Sequence, residues 1–136
     1  MTRRNRKSKP RNKTRLDRAA REAQIVVFKL GGEEYGIDIG QVREILQKRE
    51  STPMPRQPSY MEGVINVRGT IIPVINLKKR FGLQGEDSKH PHIIIVKSGD
   101  ALVGMLVDAV SEVTRVPQDQ IHHAPSTAKS VDTEYL

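Results

Sequence analysis

The apolar residues of this chain fall in short runs separated by turn-forming residues, and most runs have the period of strands. Ile25-Val26-Val27-Phe28-Lys29-Leu30 is β-branched and apolar and reads as a buried strand. Gly31-Gly32 supplies a turn, after which Tyr35, Ile37 and Ile39 alternate with Glu34, Gly36 and Asp38 as in a half-buried strand. The pair predicts a hairpin. Asp38 is placed to cap one short helical turn carrying Val42, Ile45 and Leu46. Pro53, Pro55 and Pro58 mark a stiff, extended connection. A second hairpin follows, with Val64-Ile65-Asn66-Val67 leading into a tight turn at Arg68-Gly69 and Thr70–Ile75 leading out. Pro73 cannot donate to a ladder, which predicts an edge strand or a bulge there. Lys78-Lys79-Arg80 and the polar stretch 84–89 read as a surface loop. A third hairpin runs Ile93–Val96, Ser98-Gly99-Asp100 and Leu102–Val107.

The chain also repeats itself. Displaced by 68 residues, Ile25–Ile45 falls on Ile93–Val113 without a gap. Lys29 meets Lys97, Gly31 meets Gly99, Gly36 meets Gly104, Val42 meets Val110 and Glu44 meets Glu112. Glycines, turn position and apolar alternation agree together, which argues for two copies of one β-module. Two copies are too few for a solenoid and suit two small barrels. Tyr135-Leu136 is the counterpart of Tyr60-Met61, the point at which the first copy goes on to build its second hairpin. The second copy is therefore expected to lack a hairpin of about 15–25 residues, with a naturally short variant as the alternative.

Charge changes the picture at one end only. The formal net charge is +7. Residues 1–22 hold ten Lys/Arg and two acids, a net +8, and the remainder holds thirteen Lys/Arg and fourteen acids, a net −1. The tail over 1–22 has almost no apolar residue beyond Met1 and Leu16 and is expected to be disordered, leaving 23–136 as the folded unit. A folded nucleic-acid binder would carry its basic patch on the domain, and the tail has no aromatic residue to stack on a base. There is no Cys, so neither a disulfide framework nor a thiolate metal site can form. No apolar run reaches the length of a membrane span, and the charged N-terminus lacks the apolar segment of a secretory signal.

Catalytic chemistry finds no constellation. There is no His pair on a helix, no phosphate-binding loop and no serine elbow. His90, His92, His122 and His123 stand beside Pro91 or before Pro125, as loop residues do, and no metal site is expected from them. Glu33-Glu34 and Glu86-Asp87 sit in turns and read as solvated. Arg68 projects from a tight turn. It is either a solvated turn residue or a guanidinium fork offered to a partner carboxylate. Leu102 and Leu106 replace Glu34 and Asp38 of the first copy, so the second copy has an additional apolar face. That face either packs within the molecule or forms part of a groove for an apolar ridge.

Three blocks carry a family resemblance. They are Gly32-Glu33-Glu34-Tyr35-Gly36-Ile37-Asp38-Ile39 with Val42-x-Glu44-Ile45, then Gly63–Leu77, then Val103-Gly104-x-x-Val107-Asp108-x-Val110-Ser111-Glu112-Val113. In this order and spacing the chain resembles the CheW-like chemotaxis coupling family over about 23–136. Asn76 stands where that family commonly has Asp. The resemblance implies an all-β fold of two SH3-like five-stranded barrels, the second lacking its C-terminal strands. It implies a non-enzymatic adaptor without cofactor or metal. The implied partners are the cytoplasmic tip of chemoreceptors and the regulatory domain of a CheA-type histidine kinase. The implied place is the cytoplasm, at membrane-associated receptor arrays, with no membrane insertion and no specific nucleic acid. Arg68, Val42, Glu44 and Gly63 fall on positions where family members meet partners, and Leu102 and Leu106 join them as the candidate groove. Val42 is equally readable as core, since it recurs as Val110, and Glu44 as a structural hydrogen-bonding residue, since it recurs as Glu112. A basic-tailed nucleic-acid-binding or other scaffold β-domain is the alternative reading.

Overall fold

A computed structural model describes residues 22–117 and 128–130. The tail expected over 1–22 lies outside these residues except for Glu22, as do His122, His123 and Tyr135-Leu136. The described chain is all-β apart from two short turns of helix. The first hairpin pairs β1 (Glu22–Leu30) with β2 (Glu33–Asp38), from Ile25 opposite Asp38 to Leu30 opposite Glu33. The second pairs β4 (Met61–Val67) with β5 (Thr70–Asn76). The third pairs β6 (His92–Ser98) with β7 (Ala101–Val107), from Ile93 opposite Leu106 to Ser98 opposite Ala101. The third hairpin therefore repeats the register of the first residue for residue. The turn of the second hairpin has φ 51° at Arg68 and 89° at Gly69. Two successive positive φ angles match the twist of the flanking strands, and glycine supplies the second without steric cost.

The third strands do not stay with their own copies. β3 (Val42–Gln47) pairs with β6 of the second copy, and β8 (Ala109–Pro117) pairs with β1 of the first. Val42 opposite Val96 is mirrored by Val110 opposite Phe28. The pairing slips once in each ladder, between Val42 and Glu44 and again between Val27 and Phe28, so Arg43 and Ser111 are the extra residues of equivalent bulges. Two sheets result, in the orders β8-β1-β2-β9 and β3-β6-β7-β5-β4, with β9 (Ala128–Ser130) parallel to β2 and β5 parallel to β7. One bridge, Thr52 N to Val64 O at 2.8 Å and Val64 N to Thr52 O at 2.9 Å, joins the free side of β4 to the chain leaving β3.

The described residues form two cores. The first lies between the sheets, where Val26, Phe28 and Ile37 meet Ile94, Val96 and Met105. The second lies on the other side of the five-stranded sheet, where Ile65, Val67, Ile72 and Val74 cover Ile93, Ile95 and Leu106. β6 is thus buried on both faces, which explains its unbroken Ile93-Ile94-Ile95-Val96 run where a one-sided strand would alternate. Each such side chain contributes about 1.5–3 kcal/mol by its burial.

Three local expectations are corrected. Val42, Ile45 and Leu46 lie in β3 rather than in a helical turn. Asp38 does cap a turn, with Oδ1 accepting from Gly40 N at 2.8 Å, but that turn is a 3-10 turn over Ile39–Gln41. Partners on β6 satisfy the backbone of these residues better than one isolated turn would. Pro73 is neither on an edge strand nor at the bulge. β5 lies between β7 and β4, the slip is on β4 between Met61 and Gly63, and the parallel ladder to β7 begins only at Val74. Pro73 thus stands one residue outside that ladder, where a missing donor is tolerated. Finally, Leu77–Arg80 form one turn of helix, α1, with Asn76 Oδ1 accepting from Lys79 N at 3.2 Å. Lys78 in this turn is buried rather than exposed on a loop.

Candidate functional site

The β4–β5 turn lies against β3, and this brings Arg68 to Glu44. The guanidinium engages both carboxylate oxygens: Nη1 donates to Oε2 at 3.2 Å and Nη2 donates to Oε1. This is the bidentate geometry in which arginine recognises a carboxylate most specifically. The hydrogen bond from Arg68 is the main reason the Glu44 carboxyl titrates below its ordinary value. Partial desolvation opposes it, and the charges of Arg68 and then Arg49 add to it. The same contact raises Arg68 further above its ordinary value. The Arg68 side chain keeps 73% of its surface in solvent, so the pair sits at the surface with its outer side open.

The surroundings hold the turn in place. Asn66 Oδ1 accepts from Gly69 N at 2.8 Å and fixes the turn itself. Arg49 Nη1 donates to the Asn66 carbonyl at 3.3 Å and ties the turn to the chain beyond β3. Two large apolar side chains are exposed on these same elements, Ile71 on β5 and Ile45 next to Glu44. Sequence reasoning missed Arg49 and Ile71. Arg49 gave no signal, because it stands in the polar run Lys48-Arg49-Glu50. Ile71 did give one, because Ile71 and Ile72 are both apolar at successive strand positions and cannot both face the same core.

Val42 is half-buried and packs against the first core, two residues from Glu44 on the same strand. Gly63 is buried in β4 at φ 133°, and a Cβ there would lie 2.4 Å from the Thr52 carbonyl oxygen. It therefore sets the approach of β4 to the Thr52 bridge. Leu106 is buried in the second core and Leu102 packs half-buried against it. The hairpin β4–β5 of the first copy covers that core, so these two leucines do not stand beside Arg68 on an open face.

A depression of about 170 Å³ is lined by Lys48, Arg49, Ser51, Glu62, Val74, Ile93 and Leu106. This space is open to solvent and encloses no cavity, whereas small-molecule sites are enclosed clefts of about 300–1,000 Å³. Among the described residues no group of three His, Cys, Asp or Glu side chains is placed to hold a metal ion. No helix among them is long and apolar enough to cross a membrane. The arrangement is suited to surface contact through a charged fork.

The CheW-like domain model matches residues 24–135. The chemotaxis protein CheW of Klebsiella aerogenes is 40% identical over 114 residues, covering 83% of this chain and 69% of that protein. The chemotaxis protein CheW of Treponema pallidum is 36% identical over 118 residues, with the same two coverages of 83% and 69%. The crystal structure of the scaffolding protein TtCheW from Thermoanaerobacter tengcongensis superposes with a TM-score of 0.70 at 46% identity, over 73% of this chain and 68% of that one.

Proposed function

The chain belongs to the CheW-like family of chemotaxis adaptors, and from that membership we propose that it joins the cytoplasmic tip of chemoreceptors to the regulatory domain of a CheA-type histidine kinase. The observation that carries this reading is the match of the family model across 24–135, a span that includes all three sequence blocks and both copies of the β-module. The protein contributes no chemistry of its own. It works by holding partners in register, at membrane-associated receptor arrays in the cytoplasm.

Within this reading each sheet, with the chain that wraps it, is a small SH3-like barrel, and 23–136 act as one unit behind a basic tail over 1–22. The Thr52–Val64 bridge supports the barrel description, since it links β4 back to the chain that has just left β3. Arg68 and Glu44 are the polar centre of a docking surface, with Val42 setting the position of the strand that carries Glu44. Gly63 shapes the neighbouring bridge. Leu102 and Leu106 contribute from beneath, by supporting the hairpin that presents Arg68. The exposure of the Arg68–Glu44 fork supports this assignment, because a fork already closed on itself can be shared with, or exchanged for, a partner's charge.

The test is kinase autophosphorylation with cognate receptor fragments, in the presence and absence of the 136-residue chain. Activation that requires both chain and receptor is expected. Equal rates with and without the chain would defeat the adaptor reading.

A further inference from the structure

The chain passes between the two sheets at two places that the internal repeat makes equivalent. The first is the 3-10 turn Ile39–Gln41 between β2 and β3, and the second is Asp108 between β7 and β8. Gly40 of the first is the counterpart of Asp108 in the second. The two are held very differently.

Asp108 is bonded through every polar atom it has. Its N–H donates to the Lys29 carbonyl at 3.0 Å, and its own carbonyl accepts from Ser88 Oγ at 2.5 Å. Oδ2 accepts from Gly31 N at 2.9 Å, and Oδ1 lies 3.3 Å from Lys78 Nζ. Lys78 Nζ also donates to the Glu86 carbonyl at 2.7 Å. The side chains of Lys78 and Asp108 are only 11% and 21% exposed, so their attraction is less screened than at an open surface. One residue thereby ties the β1–β2 turn of the four-stranded sheet to α1, which follows directly from the five-stranded sheet, and to the 82–88 linker that connects the two copies. A Cβ on Gly31 would lie 2.9 Å from the Gln84 carbonyl oxygen, so the linker is drawn close against that turn.

The Gly40 crossover has none of this. Its capping bond from Gly40 N to Asp38 Oδ1 is local, Asp38, Ile39 and Gly40 are exposed, and apart from the Ile25–Asp38 pair of the β1–β2 ladder no side chain of a distant described segment is bonded to it.

We propose that the two crossovers are mechanically unequal: Asp108, clasped by Lys78 and Ser88, is the fixed pivot that sets the angle between the sheets, and the Gly40 crossover is compliant. The clasp acts as a built-in control point of sheet orientation, since whatever opens it frees the two sheets to turn relative to each other. The proposal does not depend on the adaptor reading, and its test needs no partner.

The chain has no Cys, so two introduced cysteines give unique label sites. Exposed Gln24 on β1 and exposed Lys97 on β6 put one spin label on each sheet. The distance distribution between labels at Gln24→Cys and Lys97→Cys is measured in the full chain, alone and combined with Asp108→Asn, Ser88→Ala or Asp38→Ala. Hydrogen exchange of the Gly31 amide and of 82–88 is followed in the same variants. A narrow distribution is expected without further change and with Asp38→Ala. Broadening is expected with Asp108→Asn and, to a smaller extent, with Ser88→Ala. Exchange over 82–88 should rise about tenfold in Asp108→Asn, as when a charge-assisted bond in a half-buried site is lost. Ser88→Ala removes one hydroxyl and keeps the test informative should Asp108→Asn fold poorly. Equal broadening by Asp38→Ala and the clasp variants, or no change in distance and exchange in either clasp variant, would overturn the proposal.

Discussion

Replacing Gly63 by alanine should be among the most damaging small changes available to this protein. Gly63 sits at φ 133°, a conformation open essentially to glycine, and holding another residue there costs on the order of 1–3 kcal/mol. The added Cβ would also lie 2.4 Å from the carbonyl oxygen and 2.7 Å from the carbonyl carbon of Thr52. Both are backbone atoms, so no rotamer change relieves the contact. The Thr52–Val64 bridge must move, and its two hydrogen bonds of 2.8 and 2.9 Å would be strained or lost. At about 0.5–1.5 kcal/mol net for each bond, the total loss comes to about 2–6 kcal/mol. Domains of this size hold only about 5–15 kcal/mol in all. Urea unfolding of Gly63→Ala should therefore show a much lower midpoint with an unchanged slope. Gly69→Ala is the control, because Gly69 is at φ 89° with nothing within 4 Å of an added Cβ, and it should lose about 1 kcal/mol from backbone strain alone. If Gly63→Ala loses no more than Gly69→Ala, the contact with Thr52 is not what requires glycine in β4.

Arg68→Ala should leave thermal melting nearly unchanged while weakening binding to receptor or kinase fragments, and Arg68→Lys should restore binding only in part because lysine lacks the planar fork. The Glu44 carboxyl should titrate below the ordinary glutamate value in the unaltered protein and move upward in Arg68→Ala, as followed by carboxyl NMR shifts. Because its folded value is depressed, the stabilisation from the pair is present above the ordinary carboxylate range and is lost as the pH falls through the lowered value. Asn76→Ala should lose about 1 kcal/mol by removing the cap of α1, whereas Asn76→Asp should be close to neutral in urea unfolding, since either side chain caps a helix.

The hairpins were readable from the sequence because each is a local matter. Gly31-Gly32 and Arg68-Gly69 announce turns, and the flanking residues carry the right period. The two copies were readable for the same reason. The exchange of third strands was not. Pattern shows that Val42–Gln47 can be a strand, but its partner on β6 is chosen by assembly of the whole sheet. Ile45 also obscured the period. It is apolar yet exposed, and with Val42 and Leu46 it produces a helix-like spacing in a strand that in fact alternates. At the surface, Arg68 was visible from its turn and Glu44 from the family resemblance. That each is the other's partner was hidden by their separation of 24 positions along the chain. Lys78 was misplaced because a lysine within Lys78-Lys79-Arg80 looks solvated, and nothing nearby in the chain announces its acceptor at Asp108.

The exchange of third strands sets a timetable for synthesis. β1 finds β2 at once, three residues further on, but its other edge must wait for β8, which begins at Ala109. Roughly 80 residues separate these strands, so at ribosomal speeds of about 5–20 residues per second the edge stays open for about 4–16 s. It exposes a row of unpaired backbone groups beside Ile25, Val26, Val27 and Phe28 for that time, an attractive template for any neighbouring nascent chain. β3 waits in the same way for β6. The architecture is that of a swapped pair of modules fused head to tail. On a crowded polysome, where many copies emerge side by side, a first copy can recruit the second copy of the wrong chain, and the 82–88 linker must bring the right one round before that happens.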